Sequence, residues 1–287
     1  MIKDSRWLVA GAAGMLGTDL CDELRRRGAD VVAPARDALD VTDESQVAEQ
    51  VRDVDVVVNC AAWTAVDDAE EQEAEAFTLN AVGPQLLARA ARLAGARMVQ
   101  ISTDYVFAGD ATRPYPEAAA LAPRSAYGRT KGAGEWAVRA ECPDHLVVRT
   151  AWLYGAHGPC FPKTMARLAA EREELTVVAD QVGQPTWTVD LADLVLRLVA
   201  ADAPAGTYHG TSTGEVSWHG FTQEIVRTLG RDPGMVLPTT AEAFRRPAPR
   251  PAYSVLGHDA LAAVGVEPIG HWAERWTAAA PVVLEGS

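Results

Sequence analysis

The chain has 287 residues, enough for one large α/β domain or two interlocked lobes and too many for a small module stapled by disulfides. Hydrophobic residues make up 48% and charged ones 23%, the balance of a globular protein with a real core, while 39 acidic against 26 basic residues leave a net charge of −13. That acidity argues against nucleic acid as a partner, and no apolar run approaches the roughly 20 residues of a membrane span.

The start, Met1-Ile2-Lys3-Asp4, is expected to enter a strand and not a signal peptide. Residues 6–10 form a short apolar run ending in glycines, 15–27 are helical in pattern, and 30–33 are strand-like. A polar-faced helix opened by Asp43 is expected over 43–52. The run 54–60 is almost continuously apolar, as in a strand covered on both faces. A long Ala-rich segment, 69–93, precedes a strand at 97–102, a helix at 127–139 and a strand at 145–150. Strands alternating with helices of this length imply crossover units and a doubly wound parallel sheet.

Beyond 150 the order loosens. Helices are expected at 162–172, 189–201 and 218–229, with strand-like pieces at 175–179 and 207–209. Three prolines and three arginines make 245–251 an extended loop. One helix around 272–277 is expected before a frayed tail. The four cysteines, Cys21, Cys60, Cys142 and Cys160, show no paired spacing and read as reduced thiols of a cytoplasmic protein. The six histidines form no ligand pair at helical spacing, so no metal is expected in catalysis.

Gly11, Gly14 and Gly17 stand at Gly-x-x-Gly-x-x-Gly spacing between the first strand and the first helix. Such a turn lets backbone amides, here including those of Met15 and Leu16, approach a pyrophosphate at the positive end of a helix. The alternative is a glycine-rich corner without a ligand. The cofactor ribose is read at the end of the second strand, where Arg36 stands in place of the acidic residue of many NAD sites. Arg36 is either a 2′-phosphate ligand, which favours NADPH over NADH, or a solvated arginine. Asp40 and Val41 either border the adenine or serve the turn.

Tyr127 and Lys131 are four apart on a helix and share a face. An ammonium beside a phenol lowers a pKa that otherwise sits near 10, and such a tyrosine can protonate a carbonyl oxygen while hydride arrives from a nicotinamide. Thr103, at the end of its strand, can bond the same oxygen. Each signal is commonplace alone; their order after the glycine turn points to a reductase.

These residues also carry a resemblance. Asn59-Cys60-Ala61-Ala62-Trp63-Thr64-Ala65-Val66-Asp67, Ser102-Thr103-Asp104-Tyr105-Val106-Phe107, Tyr127-Gly128-Arg129-Thr130-Lys131, Arg149-Thr150-Ala151-Trp152-Leu153-Tyr154-Gly155 and Asp180-Gln181-Val182-Gly183-Gln184-Pro185-Thr186 resemble the dTDP-4-dehydrorhamnose reductase family of extended short-chain dehydrogenases/reductases. The likeness runs from about residue 6 to about 257, through Arg250-Pro251-Ala252-Tyr253-Ser254-Val255-Leu256. It implies a Rossmann-like α/β fold. The dinucleotide-binding part would be 1–152, with part of 180–205 returning to it, and 153–287 would be mainly a smaller substrate-binding lobe. It implies reduction of the C4 ketone of a dTDP-4-keto-6-deoxyhexose with NADPH or NADH. Tyr127 would donate the proton, Lys131 would hold the nicotinamide ribose and tune Tyr127, and Thr103 would assist. Ala61, Ala62 and Trp63 would flank the cofactor. Val66, Asp104, Tyr105 and Trp152 would face the sugar, with Arg250 or Arg246 at the diphosphate or in solvent. A homodimer is compatible with the family, but no metal bridge is carried over.

The pattern is broken at Trp63, where the family usually has His or Tyr, and at Cys160, where it commonly has Asn. The acidic run Asp67-Asp68, Glu70, Glu71, Glu73 and Glu75 reads as a solvated helix start. Two other readings share the fold. A sugar-nucleotide dehydratase or epimerase is disfavoured because Tyr105, not a second carboxylate, follows Asp104. A non-catalytic NADP-binding regulatory subunit would keep the same motifs without turnover.

Overall fold

A computed structural model describes residues 2–285. Its centre is a six-stranded, fully parallel sheet. The strands are β1 (Arg6–Ala10), β2 (Asp30–Val32), β3 (Val56–Asn59), β4 (Arg97–Thr103), β5 (His145–Thr150) and the edge strand Gly206–His209. In space the order is Gly206–His209, β5, β4, β3, β1, β2. The chain therefore leaves β1 for β2 on one side and returns to β3 on the other. Such a reversal, at the C-terminal strand ends, is where ligands of open α/β sheets bind.

Both faces are covered, which explains why β3 is apolar throughout. On one face, α1 (Met15–Arg26) supplies Leu16, Leu20 and Leu24 to the core. The other face carries α2 (Glu44–Gln50), α4 (Gly83–Ala94) and α5 (Ala126–Glu141), through Val47, Leu87, Ala88, Ala91 and Val138. Asp43 caps α2 by accepting from the Ser45 and Gln46 amides at 2.9 and 3.2 Å.

The Ala-rich segment is not one helix. It divides into a 3₁₀ turn at Asp68–Glu70, the short helix α3 (Glu73–Phe77), a π turn at Thr78–Val82 and α4. The π turn aims buried Asn80 at the site, a use to which such bulges are often put.

Past residue 152, α6 (Phe161–Glu171), α7 (Thr188–Ala200) and α8 (Trp218–Thr228) alternate with two-residue and four-residue strands. α7 packs beside α1 and brings the chain back to the sheet edge at Gly206–His209. A second core joins Tyr154, Phe221, Ile225, Trp276, Ala280 and Val283. The last helix is longer than its expected 272–277. It runs Trp272–Val283, because Ala279, Ala280 and Val283 are buried there. The tail expected to fray beyond 277 is therefore helical as far as Val283, and its last residues, 286–287, lie outside the described residues. No described helix is long and apolar enough to cross a membrane.

Candidate active site

At the reversal, Gly11 adopts φ +75°, and a Cβ there would lie 2.6 Å from the Ala61 nitrogen. A Cβ on Gly17 would lie 2.2 Å from the Gly11 carbonyl oxygen. Only glycine lets strand, turn and helix close this tightly. Gly14 is the N-cap of α1; the Thr18 hydroxyl donates to its carbonyl at 2.9 Å, but no side chain caps the amides and no acidic residue occupies the first turn. The turn is a cradle of main-chain amides suited to a pyrophosphate, so the residues fit a dinucleotide. Met15 packs beside Gly155, and Leu16 is buried in the core.

Asn59, at the end of β3, bonds Gln100 at 2.9 Å and accepts from the Ala61 amide at 3.0 Å. Asn80 accepts from the Trp63 amide at 2.8 Å and donates to Thr130 on α5 at 3.0 Å. The loop holding Ala61, Ala62 and Trp63 is thus pinned between sheet and helix, with Trp63 packed near Tyr127. Sequence reasoning missed Asn80, because only the π turn brings it here.

Arg36 is exposed beyond β2 and its charge reaches Asp40. Asp40 accepts from the Thr42 amide and hydroxyl at 2.9 and 2.7 Å, which holds its carboxyl below the usual range. Of the two readings of Asp40, the turn is the one its bonds serve. Val41 is buried against α4, so its side chain belongs to the core.

Thr103 ends β4, and its hydroxyl donates to Asp104 at 2.9 Å and accepts from the Tyr105 amide at 3.2 Å. Ser125 caps α5 through the Gly128 amide at 3.1 Å, which sets Tyr127 in the first turn facing Thr103. The Tyr105 and Tyr127 rings meet edge to face at 5.5 Å. Lys131, one turn on, is buried and donates to the Ile101 carbonyl at 2.7 Å.

The electrostatics correct one expectation. Burial pushes the Tyr127 phenol up, to about 12; the Thr103 hydroxyl opposes this and the Asp104 charge adds to it. Lys131 does not lower it, because its amine is turned to Ile101, and burial pulls that amine down to about 8 against the pull of Glu135. Tyr127 therefore stands protonated at neutral pH, the form a proton donor needs. Asp104 is fully buried and raised to about 6, chiefly by desolvation, with one carboxylate oxygen unpartnered.

Beneath these residues lies a buried charge network. Glu135 accepts two 2.8 Å bonds from Arg149, one of 2.7 Å from Ser102 and one of 2.9 Å from Arg139. Arg149 also bonds the Glu117 carbonyl and lies over the Phe107 ring at 4.9 Å.

From Tyr105 a cleft of about 730 Å³ opens outward between α6, α8 and the 241–250 segment. Phe161, Met165 and Trp218 line it, and Arg172, Arg245, Arg246 and Arg250 stand along it. Apolar walls with several cations suit an aromatic base carrying phosphates. Trp152 is otherwise placed than expected. It adopts φ +47°, its ring stacks on Trp218 at 3.4 Å, and a Cβ on Gly183 would lie 2.5 Å from its indole. Trp218 and Gly183 crowd the indole, and Trp218 lines the cleft. Val66 is half-buried at the end of the pinned loop. Cys160 is the N-cap of α6 but forms no capping bond; its thiol donates instead to the Gly155 carbonyl at 3.7 Å.

A family model described as RmlD substrate binding domain matches residues 5–283. The chain belongs to that family. Its relatives include a dTDP-4-dehydrorhamnose reductase of Streptomyces griseus, 51% identical over 97% of this chain and 94% of that protein. A probable dTDP-4,6-dihydroxy-2-methyloxan-3-one 4-ketoreductase of Streptomyces antibioticus is 50% identical over 97% and 96%. Among solved structures, the dTDP-4-dehydrorhamnose reductase of Bacillus anthracis in complex with NADP is 39% identical, with a TM-score of 0.93 over 97% of this chain and 99% of that one.

The acidic run at 67–75 differs from the expected solvated helix start. It is not simply solvated: Asp67 bonds Arg250 at 2.9 Å, Glu70 accepts from the Ala126 amide at 2.8 Å, and Glu73 holds Arg129 by two 2.7 Å bonds. Arg250, read as either a diphosphate ligand or a solvated arginine, is an ion-pair partner at the cleft's edge. No local signal in the chain reveals these pairs, which join residues up to 183 positions apart.

Proposed function

We propose that this protein is a cytoplasmic NADPH-dependent reductase of the C4 ketone of a dTDP-4-keto-6-deoxyhexose, with dTDP-4-dehydrorhamnose or a related deoxysugar as substrate and NADH as a weaker cofactor. One observation carries the reading. Tyr127, protonated and facing Thr103, packs edge to face at 5.5 Å on Tyr105, which itself lines the apolar, arginine-edged cleft. The cradle of Gly11, Gly14, Met15, Leu16 and Gly17 would hold the pyrophosphate, Arg36 the 2′-phosphate, and Lys131 the nicotinamide ribose. Bound there, NADPH supplies hydride to the carbonyl carbon. Tyr127 gives its phenolic proton to the C4 oxygen, and Thr103 hydrogen-bonds that oxygen and keeps it in line. Tyr105 and Trp152 confine the ring, while Arg246 and Arg250 face the diphosphate.

We assign 1–152, with part of 180–205, to dinucleotide binding and 153–287 mainly to the substrate. A homodimer belongs to the same proposal: Trp136 on α5 and Leu93 on α4 are 67% and 73% exposed and offer apolar contact. The test is NADPH oxidation against a panel of dTDP-4-keto-6-deoxyhexoses, with the product alcohol identified by NMR. Oxidation that requires the sugar nucleotide supports the reading. Binding of NADPH without turnover of any member would point to a regulatory subunit.

A further inference from the structure

The segment that follows β3 grips the late loop at a point where that loop, though Ala248 is buried, has few backbone donors of its own. Pro247, Pro249 and Pro251 carry no backbone N–H, so between Pro247 and Pro251 only Ala248 and Arg250 have one to give. No helix or strand covers 245–250. Asp67 takes up the slack. One carboxylate oxygen accepts from the Ala248 amide at 3.2 Å; the other lies 2.9 Å from Arg250 and 3.8 Å from Arg246. Arg250 in turn donates to the Ala248 carbonyl at 3.1 Å, closing a small ring of bonds.

The same segment is fixed at its other end to the catalytic helix. Glu70 accepts from Ala126, the residue before Tyr127, and Glu73 binds Arg129. A loop lining one wall of the cleft is therefore tied, through seven residues of chain, to the helix that carries the proton donor.

We propose that Asp67 is a positioning residue for the sugar nucleotide: by holding Ala248 and Arg250 it fixes the proline-rich wall, with Arg246 and Arg250, where a nucleoside diphosphate enters. The proposal rests on the reading of the cleft as the dTDP-sugar site. Pre-ordering the wall spares the ligand the entropy of ordering it on binding. An electrostatic account predicts the opposite sign, because removing a carboxylate beside two arginines strengthens their pull on an anion.

The experiment uses the intact enzyme, Asp67→Asn, and Asp144→Asn as a control that breaks the ion pair with Arg97 at the N-terminal ends of β4 and β5, away from the cleft. Amide hydrogen exchange is read on the peptide containing Ala248, and dTDP and NADPH affinities by calorimetry. For Asp67→Asn we expect exchange at Ala248 to quicken and dTDP to bind about five- to tenfold more weakly, with NADPH affinity unchanged. Asp144→Asn should leave all three alone. Unchanged exchange overturns the proposal, as does dTDP bound equally or more tightly by Asp67→Asn while the wild type binds it. A wild type that binds no dTDP overturns the reading of the cleft, and the proposal with it.

Discussion

The floor of the site and its rim are both held by ion pairs, yet the two are built differently. At the floor, Glu135 and Arg149 are essentially without solvent, and every carboxylate oxygen is satisfied by Arg149, Arg139 or Ser102. At the rim, Asp67 and Arg250 keep 26% and 22% of their side-chain surface. A buried pair that loses one partner leaves a stranded charge, whereas a half-exposed pair is worth about 0–1 kcal/mol. The floor therefore holds the helix of Tyr127 and Lys131 by bonds sealed from water, while the rim is pre-ordered by bonds that water still reaches.

The largest effect should come from the proton donor. Tyr127→Phe is expected to cut reduction by roughly 10²–10⁴ with NADPH affinity intact, measured by steady-state rates beside cofactor titration. Near-normal turnover would remove Tyr127 from that role.

Next comes the floor itself. Glu135→Ala strands Arg149 in the interior and should cost about 3–5 kcal/mol in denaturant unfolding. A loss under 1 kcal/mol would make floor and rim alike and erase the contrast.

Asp104 sharpens the contrast through pH. Its carboxyl titrates near 6 in the folded protein and near 3.9 unfolded, so burying the charge destabilises the fold as pH rises through 6 and costs nothing below about 4. Asp104→Asn should raise stability by about 2 kcal/mol at pH 7.5 and hardly at all at pH 4, by thermal unfolding at both. An equal gain at both values would place the strain elsewhere.

The smallest effect is expected at the cofactor's margin. Arg36 is exposed and makes no fixed bond that would cost stability, so Arg36→Ala should weaken NADPH about tenfold while sparing NADH. Equal effects on both cofactors would leave Arg36 a surface residue.

What could be read from the chain follows the same division. The strand–glycine–helix start, the covered strand at β3 and the Tyr127–Lys131 face are local patterns, and local geometry produces them. Asn80 was invisible because a π turn, not a regular helix, aims it at Trp63. The roles of Asp67, Glu70 and Glu73 were hidden because a run of acids looks the same whether water or a distant arginine meets it. The fall of the Tyr127 pKa expected from a neighbouring amine reversed because burial outweighs a lysine that points elsewhere. Stacking of Trp152 on Trp218 depends on Gly183, a contact between three separate segments.

The central claim is that hydride and proton meet at one sugar carbonyl in front of Tyr127. NADPH deuterated at the transferable nicotinamide position, incubated with the enzyme and a dTDP-4-keto-6-deoxyhexose, tests it most directly, with the product read by NMR. The account predicts deuterium on C4 of the product sugar, and its formation slowed by orders of magnitude in Tyr127→Phe. Deuterium at another carbon, or none in the sugar at all, would contradict it.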